Sequence, residues 1–424
     1  MNTYKQISTF YLPLCLNQVI MTFTAPVIGY GVSHGRTPEM SLAGFSAAFS
    51  ITIIFSGIIL SNLKIYNSHL ADKAAFNRIN RFYLILSILF VLISLTIGAT
   101  WIGNFVFITL LHLKPEAALY AKSWMIWSSP VQVLIALRSG SQSIALVYKH
   151  PKIPAMGTGI RLSVLVIAQF FLLTVIPSRP VLACALALCS ATLVEYFFLL
   201  QKTHNLLNTP SPITNLDRPI TWTYLLSFSA PLWISSIAWT SSFALITFFV
   251  SFSSQPEIGV GCFGLLRSLT VWACSPLYAI STLVVILGKQ KNMQQLRYFS
   301  LGLSTLIVLA VIISTATNLH YYIFSRIFNL ADTNLNWAMN AYFLLIPIPI
   351  MLGIRCFQEG RLIKRKISSH IGTAGCLRLI TIAFLGVLTM YWGKVSNGAI
   401  LGMLLMVFAS FTDAAYLTYA IKRK

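Results

Sequence analysis

Residues 130–161 read PVQVLIALRSGSQSIALVYKHPKIPAMGTGIR, and residues 347–378 read PIPIMLGIRCFQEGRLIKRKISSHIGTAGCLR. Both stretches open on proline, carry an arginine in mid-run, cross a lysine-bearing turn and end on a second arginine. Pro130 matches Pro347, Arg138 matches Arg355, Lys149 matches Lys366 and Arg161 matches Arg378, with the two arginines 23 residues apart in each. Extending the same 217–218-residue shift outward lays Pro13 on Pro231 and the turn Pro38-Glu39 on Pro256-Glu257. It also lays Phe45 on Phe263, Ser50 on Ser268 and Glu195 on Asp413. Apolar sequence aligns by chance easily, whereas charges and prolines at one fixed offset do not. The chain therefore reads as an internal duplication.

What is duplicated follows from composition. Of 424 residues, 57% are apolar and 9% charged, and mean hydropathy is +0.77. Soluble chains carry about 25% charged residues, so this chain cannot cover a soluble surface and reads as a polytopic membrane protein. Apolar stretches long enough to span lie at 8–32, 40–63, 82–111, 120–147, 153–177 and 180–201. Six more lie at 221–251, 258–287, 297–322, 337–360, 368–392 and 395–421. The fold expected is all-α, with twelve transmembrane helices in two six-helix lobes, 1–205 and 221–424. A cytoplasmic linker containing Asn208-Thr-Pro-Ser-Pro joins them over 206–220. One lysine, Lys5, precedes the first apolar run and no cleavage site follows it, so that run is expected to be retained as a span.

The net charge of +21 invites a nucleic-acid reading, but topology accounts for most of it. Of the 30 lysines and arginines, five fall inside spans and six in odd-numbered loops: Arg36, Lys114, Lys122, Arg179, Arg326 and Lys394. The remaining nineteen lie at the termini and in even-numbered loops, which places both termini in the cytoplasm. The expected location is the plasma (cell inner) membrane, with the lipid bilayer as partner and no nucleic acid. Six spans per half is an even number, so the halves run parallel, related by a pseudo-twofold axis along the membrane normal. Such pairs place a substrate site near mid-membrane between the halves and work by alternating access.

The five intramembrane arginines are the candidate chemistry. Arg138 lies eleven residues before Lys149, roughly 16 Å from the helix end at 1.5 Å per residue. A charge at such depth costs about 2.5–3.5 kcal/mol unless paired or hydrated. Arg161 with Glu195, and Arg378 with Asp413, read as structural ion pairs within each half. Arg355 and Glu359 stand i,i+4 and can satisfy each other. Arg138 and Arg267 have no acidic partner evident in sequence, and for them two readings stay open: lining a substrate cavity, or snorkelling. Asn17 and Gln18 in the first helix, with Ser235 and Ser236 at the matching place in the seventh, are mid-span polar groups. They suit ligand orientation or plain helix–helix hydrogen bonding. Pro26, Gly29-Tyr-Gly31 and Pro276 make their helices bendable.

Several absences narrow the class. No GxxxxGK[ST] is present, so no ATP-driven engine lies in this chain, and no HExxH is present. The seven histidines lie in loops or at span ends, and the seven cysteines read as small buried hydrophobes. No cofactor, metal site or catalytic residue is expected.

Twelve helices in two parallel halves with proline early in the first and seventh resemble the multidrug/oligosaccharidyl-lipid/polysaccharide (MOP) exporter superfamily, whose fold is MATE-like. Within it the chain is most similar to the progressive ankylosis (ANK) transporters. The residues carrying this are Tyr11-Leu-Pro-Leu14, Phe55-Ser-Gly57, Val147-Tyr-Lys-His150, Arg355, Leu377-Arg378 and Asp413-Ala-Ala415. The resemblance implies export of a small polyanion of the citrate, pyrophosphate or nucleotide class, leaving any coupling ion open. Short loops, and Arg138 where that family has a small residue, depart from the pattern. The expected site is Arg138, Arg267 and Arg355 with Asn17, Gln18, Ser235 and Ser236. Two alternatives stand beside it: a MATE-type cation-coupled multidrug exporter, and a flippase or membrane enzyme acting on a lipid-linked pyrophosphate.

Overall fold

A computed structural model describes residues 3–33, 38–111, 113–209, 220–288, 292–327, 332–391 and 396–423. Among them there is no strand. Helices satisfy their backbone polar groups within one segment, as lipid requires. The first half holds α1 (Thr3–Thr22), α2 (Thr24–Val32), α3 (Pro38–Leu60), α4 (Asn62–His69), α5 (Lys73–Ala99), α6 (Trp101–Asn104), α7 (Pro115–Trp127), α8 (Pro130–Val147), α9 (Lys152–Val175) and α10 (Pro180–Thr203). The second holds α11 (Trp222–Val250), α12 (Pro256–Leu287), α13 (Met293–Ala316), α14 (Leu319–Tyr322), α15 (Asp332–Tyr342), α16 (Ile348–Lys364), α17 (Ser369–Tyr391) and α18 (Gly398–Lys422).

Local chemistry sets these boundaries. The α1–α2 break falls at Phe23, because the Pro26 ring crowds the carbonyl four residues back and removes a donor. Helix α12, in contrast, runs through Pro276 without interruption. Prolines open α7 and α8, where a missing N–H costs nothing. The Asp72 side chain caps α5 by accepting from the Ala75 N–H at 2.6 Å, and Asn397 caps α18 from Ala399 and Ile400.

The duplication read from charges and prolines recurs in backbone detail. Helix α8 ends with Lys149 at φ 65° and α16 with Lys366 at φ 59°. At both ends the next residue donates five positions back, His150 to Ala145 at 2.7 Å and Ile367 to Leu362 at 2.9 Å. This is one Schellman closure built twice, each time with lysine where glycine is usual. A π-helical turn at Phe105–Leu110 likewise recurs at Ile323–Ile327.

Among the described residues ten helical stretches are long and apolar enough to cross a membrane, and α15 with α16, bent by 42°, makes an eleventh where the bent pair is counted as one span. The expected fourth span is split into α7 and α8 at Ser128-Ser129 and falls outside that set. Its buried face carries Gln132, Arg138, Ser139, Ser141, Gln142 and Ser143. Polar residues face inward while large apolar ones face out, as with Phe170 and Phe171 on α9 or Leu306 and Ile313 on α13. That inversion marks a multi-pass membrane protein. Cys376 corrects the expectation of buried cysteines: it is exposed, along with Ile380, Phe384 and Val387 on α17.

Two compact units result: Leu12–Ser229, and Ala230–Lys424 together with Met1–Tyr11. The two divisions lie 218 residues apart, each just ahead of a matched proline, Pro13 or Pro231. Within the second unit the Tyr11 hydroxyl donates to the Pro276 carbonyl at 2.8 Å, and its ring meets Phe299 edge-on at 5.0 Å. Residues 210–219 of the expected linker lie outside the described residues; 204–208 form a short 3₁₀ turn.

Candidate functional site: a buried arginine cluster in each unit

In the N-terminal unit, three helices converge on one carboxylate. Glu195 on α10, fully buried, receives Arg138 Nη1 from α8 at 3.0 Å to Oε1 and 3.2 Å to Oε2. Arg161 of α9 stands with Nε 3.5 Å from Oε2, an ion-pair distance without hydrogen-bond geometry, while its Nη2 donates to Thr24 Oγ1 at 3.2 Å. Thr158 sits one turn before Arg161; its hydroxyl donates to Asn17 Oδ1 and lies 3.2 Å from Glu195 Oε1.

The expectation that Arg138 lacks an acidic partner is thus corrected: its partner comes from another helix, 57 positions on. At 1% exposure it neither snorkels nor faces solvent. Asn17 is buried against Thr158, whereas Gln18 beside it is half-buried.

The C-terminal unit repeats the design on the matching helices. Arg378 of α17 and Arg355 of α16 both reach Asp413 of α18, the latter with Nε 3.2 Å from Oδ2. Arg355 therefore crosses to an acid on another helix. Glu359, one turn after Arg355 on α16, is itself buried. Trp239 of α11 supplies a ring to both guanidiniums, with the Arg378 and Arg355 carbons 4.5 and 4.7 Å from its centroid. Ser235 is buried where α11 crosses α17. A Cβ on Gly375 would sit 3.0 Å from the Ser235 Cα, so glycine is what permits the approach. Ser236 is half-buried, its carbonyl accepting from Thr240.

Arg267, on α12, belongs to neither cluster. It is half-buried, and its guanidinium lies over the Phe243 ring, 4.6 Å from the centroid. Among the described residues it forms no ion pair with a carboxylate. Phe243 in turn meets Trp239 edge-on at 5.3 Å, so an aromatic ladder on α11 links Arg267 to the cluster. The sequence reading passed over Trp239 and Phe243, since aromatics at i,i+4 in an apolar span look like any packed pair.

Elsewhere, an apolar groove of about 740 Å³ in the N-terminal unit is lined by Val91, Pro130, Val133, Leu172, Cys189 and neighbours, and offers no charged group. Among the described residues no three histidines, cysteines or acids gather as metal ligands would.

No known family profile and no curated protein sequence matches the chain. Solved structures do match in fold. A MOP superfamily transporter from Pyrococcus furiosus aligns with TM-score 0.76 at 14% identity, covering 99% of this chain and 95% of its own. A MATE transporter in a bent conformation gives 0.77 at 14% over 100% and 96%. An outward-facing multidrug resistance MATE transporter gives 0.75 at 14% over 99% and 97%. The whole chain therefore has the MATE-like fold of the MOP superfamily transporters.

Proposed function

We propose that this protein is a secondary transporter that exports a small anion across the plasma (cell inner) membrane by alternating access. The observation that carries the reading is Arg267: a half-buried guanidinium inside a membrane span, set against an aromatic ring and no carboxylate. Guanidinium offers a planar pair of donors to a carboxylate or phosphate. The chain spends five arginines and only three acids on its apolar spans, a balance that suits an anionic cargo. Within this reading the cargo is a polyanion of the citrate, pyrophosphate or nucleotide class, as the ANK resemblance implies, and the lysine and arginine bias puts both termini in the cytoplasm. Arg138 and Arg355, already engaged with carboxylates, contribute positive field rather than a free fork, and Asn17 holds Thr158. No reaction chemistry is assigned.

The test is uptake of labelled citrate, pyrophosphate and ATP into proteoliposomes of purified protein. Saturable uptake of one of them, reduced at least tenfold in Arg267→Ala with the protein still folded, supports the reading. The MATE fold favours a second reading, a multidrug exporter. Flux of an organic cation down an imposed proton or sodium gradient, with no anion flux, would establish that instead. Activity requiring a lipid pyrophosphate headgroup would point to a flippase.

A further inference from the structure

The two clusters are matched in their three central charges but not in the fourth position. In the C-terminal unit, Arg355 and Arg378 both reach Asp413, and a second acid, Glu359, is buried one turn after Arg355 on α16, so the cluster's two arginines stand with two acids. Shifting Glu359 back by the 217-residue repeat lands on Gln142. Gln142 stands one turn after Arg138 on the same face of α8, as Glu359 does after Arg355 on α16. It is buried at 4% exposure. Glu195 is the one acid within the apolar spans of residues 12–229. Asp72, at the start of α5, is spent on its cap, and Glu116 opens α7. The N-terminal cluster thus holds Arg138 and Arg161 against Glu195 alone, one unit of positive charge uncompensated.

Buried donors stay open in both clusters, at Arg378 Nη1 in the C-terminal unit and at two guanidinium Nε atoms in the N-terminal one. Arg138 donates through Nη1, yet its Nε, fully buried, donates to nothing, and Arg161 Nε has no acceptor in hydrogen-bond geometry. The Gln142 Oε1 is likewise buried without a partner. Rotating that amide by half a turn replaces an orphan acceptor with a donor. A buried charge left unpaired in a low-dielectric interior is strongly disfavoured, and unmade buried donors add to the penalty. One occupant answers both deficits: a small anion.

We propose that the N-terminal unit binds a monovalent anion of chloride size at Arg138 and Arg161, doing there what Glu359 does in the other unit. The depth of the cluster, with Arg138 at 1% and Arg161 at 6% exposure, selects a halide over a bulky organic anion. The site is independent of the transported cargo.

The experiment is thermal unfolding of the detergent-purified full chain against chloride at constant ionic strength, with gluconate as the replacing anion. Wild type is expected to show a saturable rise in Tm with chloride, reproduced by bromide. Gln142→Glu supplies the missing negative charge and should lose the chloride-dependent rise. Glu359→Gln should gain a second one. Arg161→Met, which leaves Arg138 and Glu195 as a neutral pair, should also lose it and serves if Gln142→Glu does not fold. Chloride-35 NMR on wild type alone provides a reading independent of any variant, as line broadening displaced by bromide. Absence of both the Tm rise and the broadening in wild type overturns the proposal, as does a full rise retained in Gln142→Glu or Arg161→Met. A larger stabilisation by citrate or pyrophosphate that competes with chloride would make the cluster a cargo site and overturn the halide assignment.

Discussion

The two units place arginine, arginine and acid on matching helices, and then finish the clusters with different materials. Around Glu195 the surroundings are hydrogen-bonding side chains: Thr158, Asn17 and Thr24. Beside the arginines of Asp413 stand an indole ring, Trp239, and a second buried acid, Glu359, one turn after Arg355. Even the helix crossing beneath differs. Asn17 meets Thr158 in one unit, while the matched pair in the other is Ser235 against Gly375. A polar contact has been exchanged for close backbone packing. The comparison teaches that a duplicated ion cluster needs only its central charges preserved. Its remaining demands, charge balance and donor satisfaction, can be met by an acid, a ring, a hydroxyl or a bound ion.

The largest expected effect comes from removing the acids. Breaking a buried pair from one side costs about 3–5 kcal/mol, and Glu195→Ala strands two guanidiniums at once. Asp413→Ala strands Arg355 and Arg378 in its own unit, but a second acid, Glu359, stays buried one turn after Arg355. Glu195→Ala should therefore lower Tm more than Asp413→Ala when both are measured by scanning calorimetry in one detergent. Equal losses would mean that Glu359 does not balance the C-terminal cluster.

Removing one arginine from each cluster should reverse the ranking. Arg161→Met leaves Arg138 and Glu195 as a neutral, hydrogen-bonded pair, and the change should cost at most about 1 kcal/mol, since it leaves no uncompensated buried charge. Arg378→Met leaves one guanidinium among two carboxylates and should cost about 3 kcal/mol. Denaturation midpoints of the two variants in the same titration decide the matter. A costlier Arg161→Met would show that the N-terminal cluster needs both its cations.

How much of this was readable before the structure depended on whether the signal was linear in the chain. Span positions, the duplication and the pairings of Arg161 with Glu195 and Arg378 with Asp413 came from periodicity and a fixed offset; in the structure Arg161 Nε lies 3.5 Å from Glu195 and Arg378 reaches Asp413. Arg138 and Arg355 were harder. Their acid is on neither their own helix nor the neighbouring turn, so i,i+4 logic pointed Arg355 to Glu359 and left Arg138 alone. One signal was available. Three charges repeated at one offset belong to one constellation, which predicts two arginines per acid rather than one. Trp239 gave no signal, because a ring within an apolar span reads as packing until a guanidinium is found over it.

The indole is also where the comparison can be tested most finely. Shifting Trp239 by 218 residues gives Met21, so the N-terminal cluster has no aromatic at that position. A guanidinium desolvated over a ring gains about 0.5–2 kcal/mol, and here two share one ring at 4.5 and 4.7 Å. Trp239→Leu removes both contacts together with part of the packing that links them to Phe243. Trp239→Phe keeps a smaller ring and should recover about 1 kcal/mol of the loss. Met21→Leu, an exchange of similar volume, should cost less than about 1.5 kcal/mol. Repeating Trp239→Leu in an Arg355→Met background isolates the electrostatic part, since a double-mutant cycle cancels what packing contributes to both backgrounds. A coupling near zero would show that the ring only fills space beside Arg355, and that Asp413 holds that guanidinium without it.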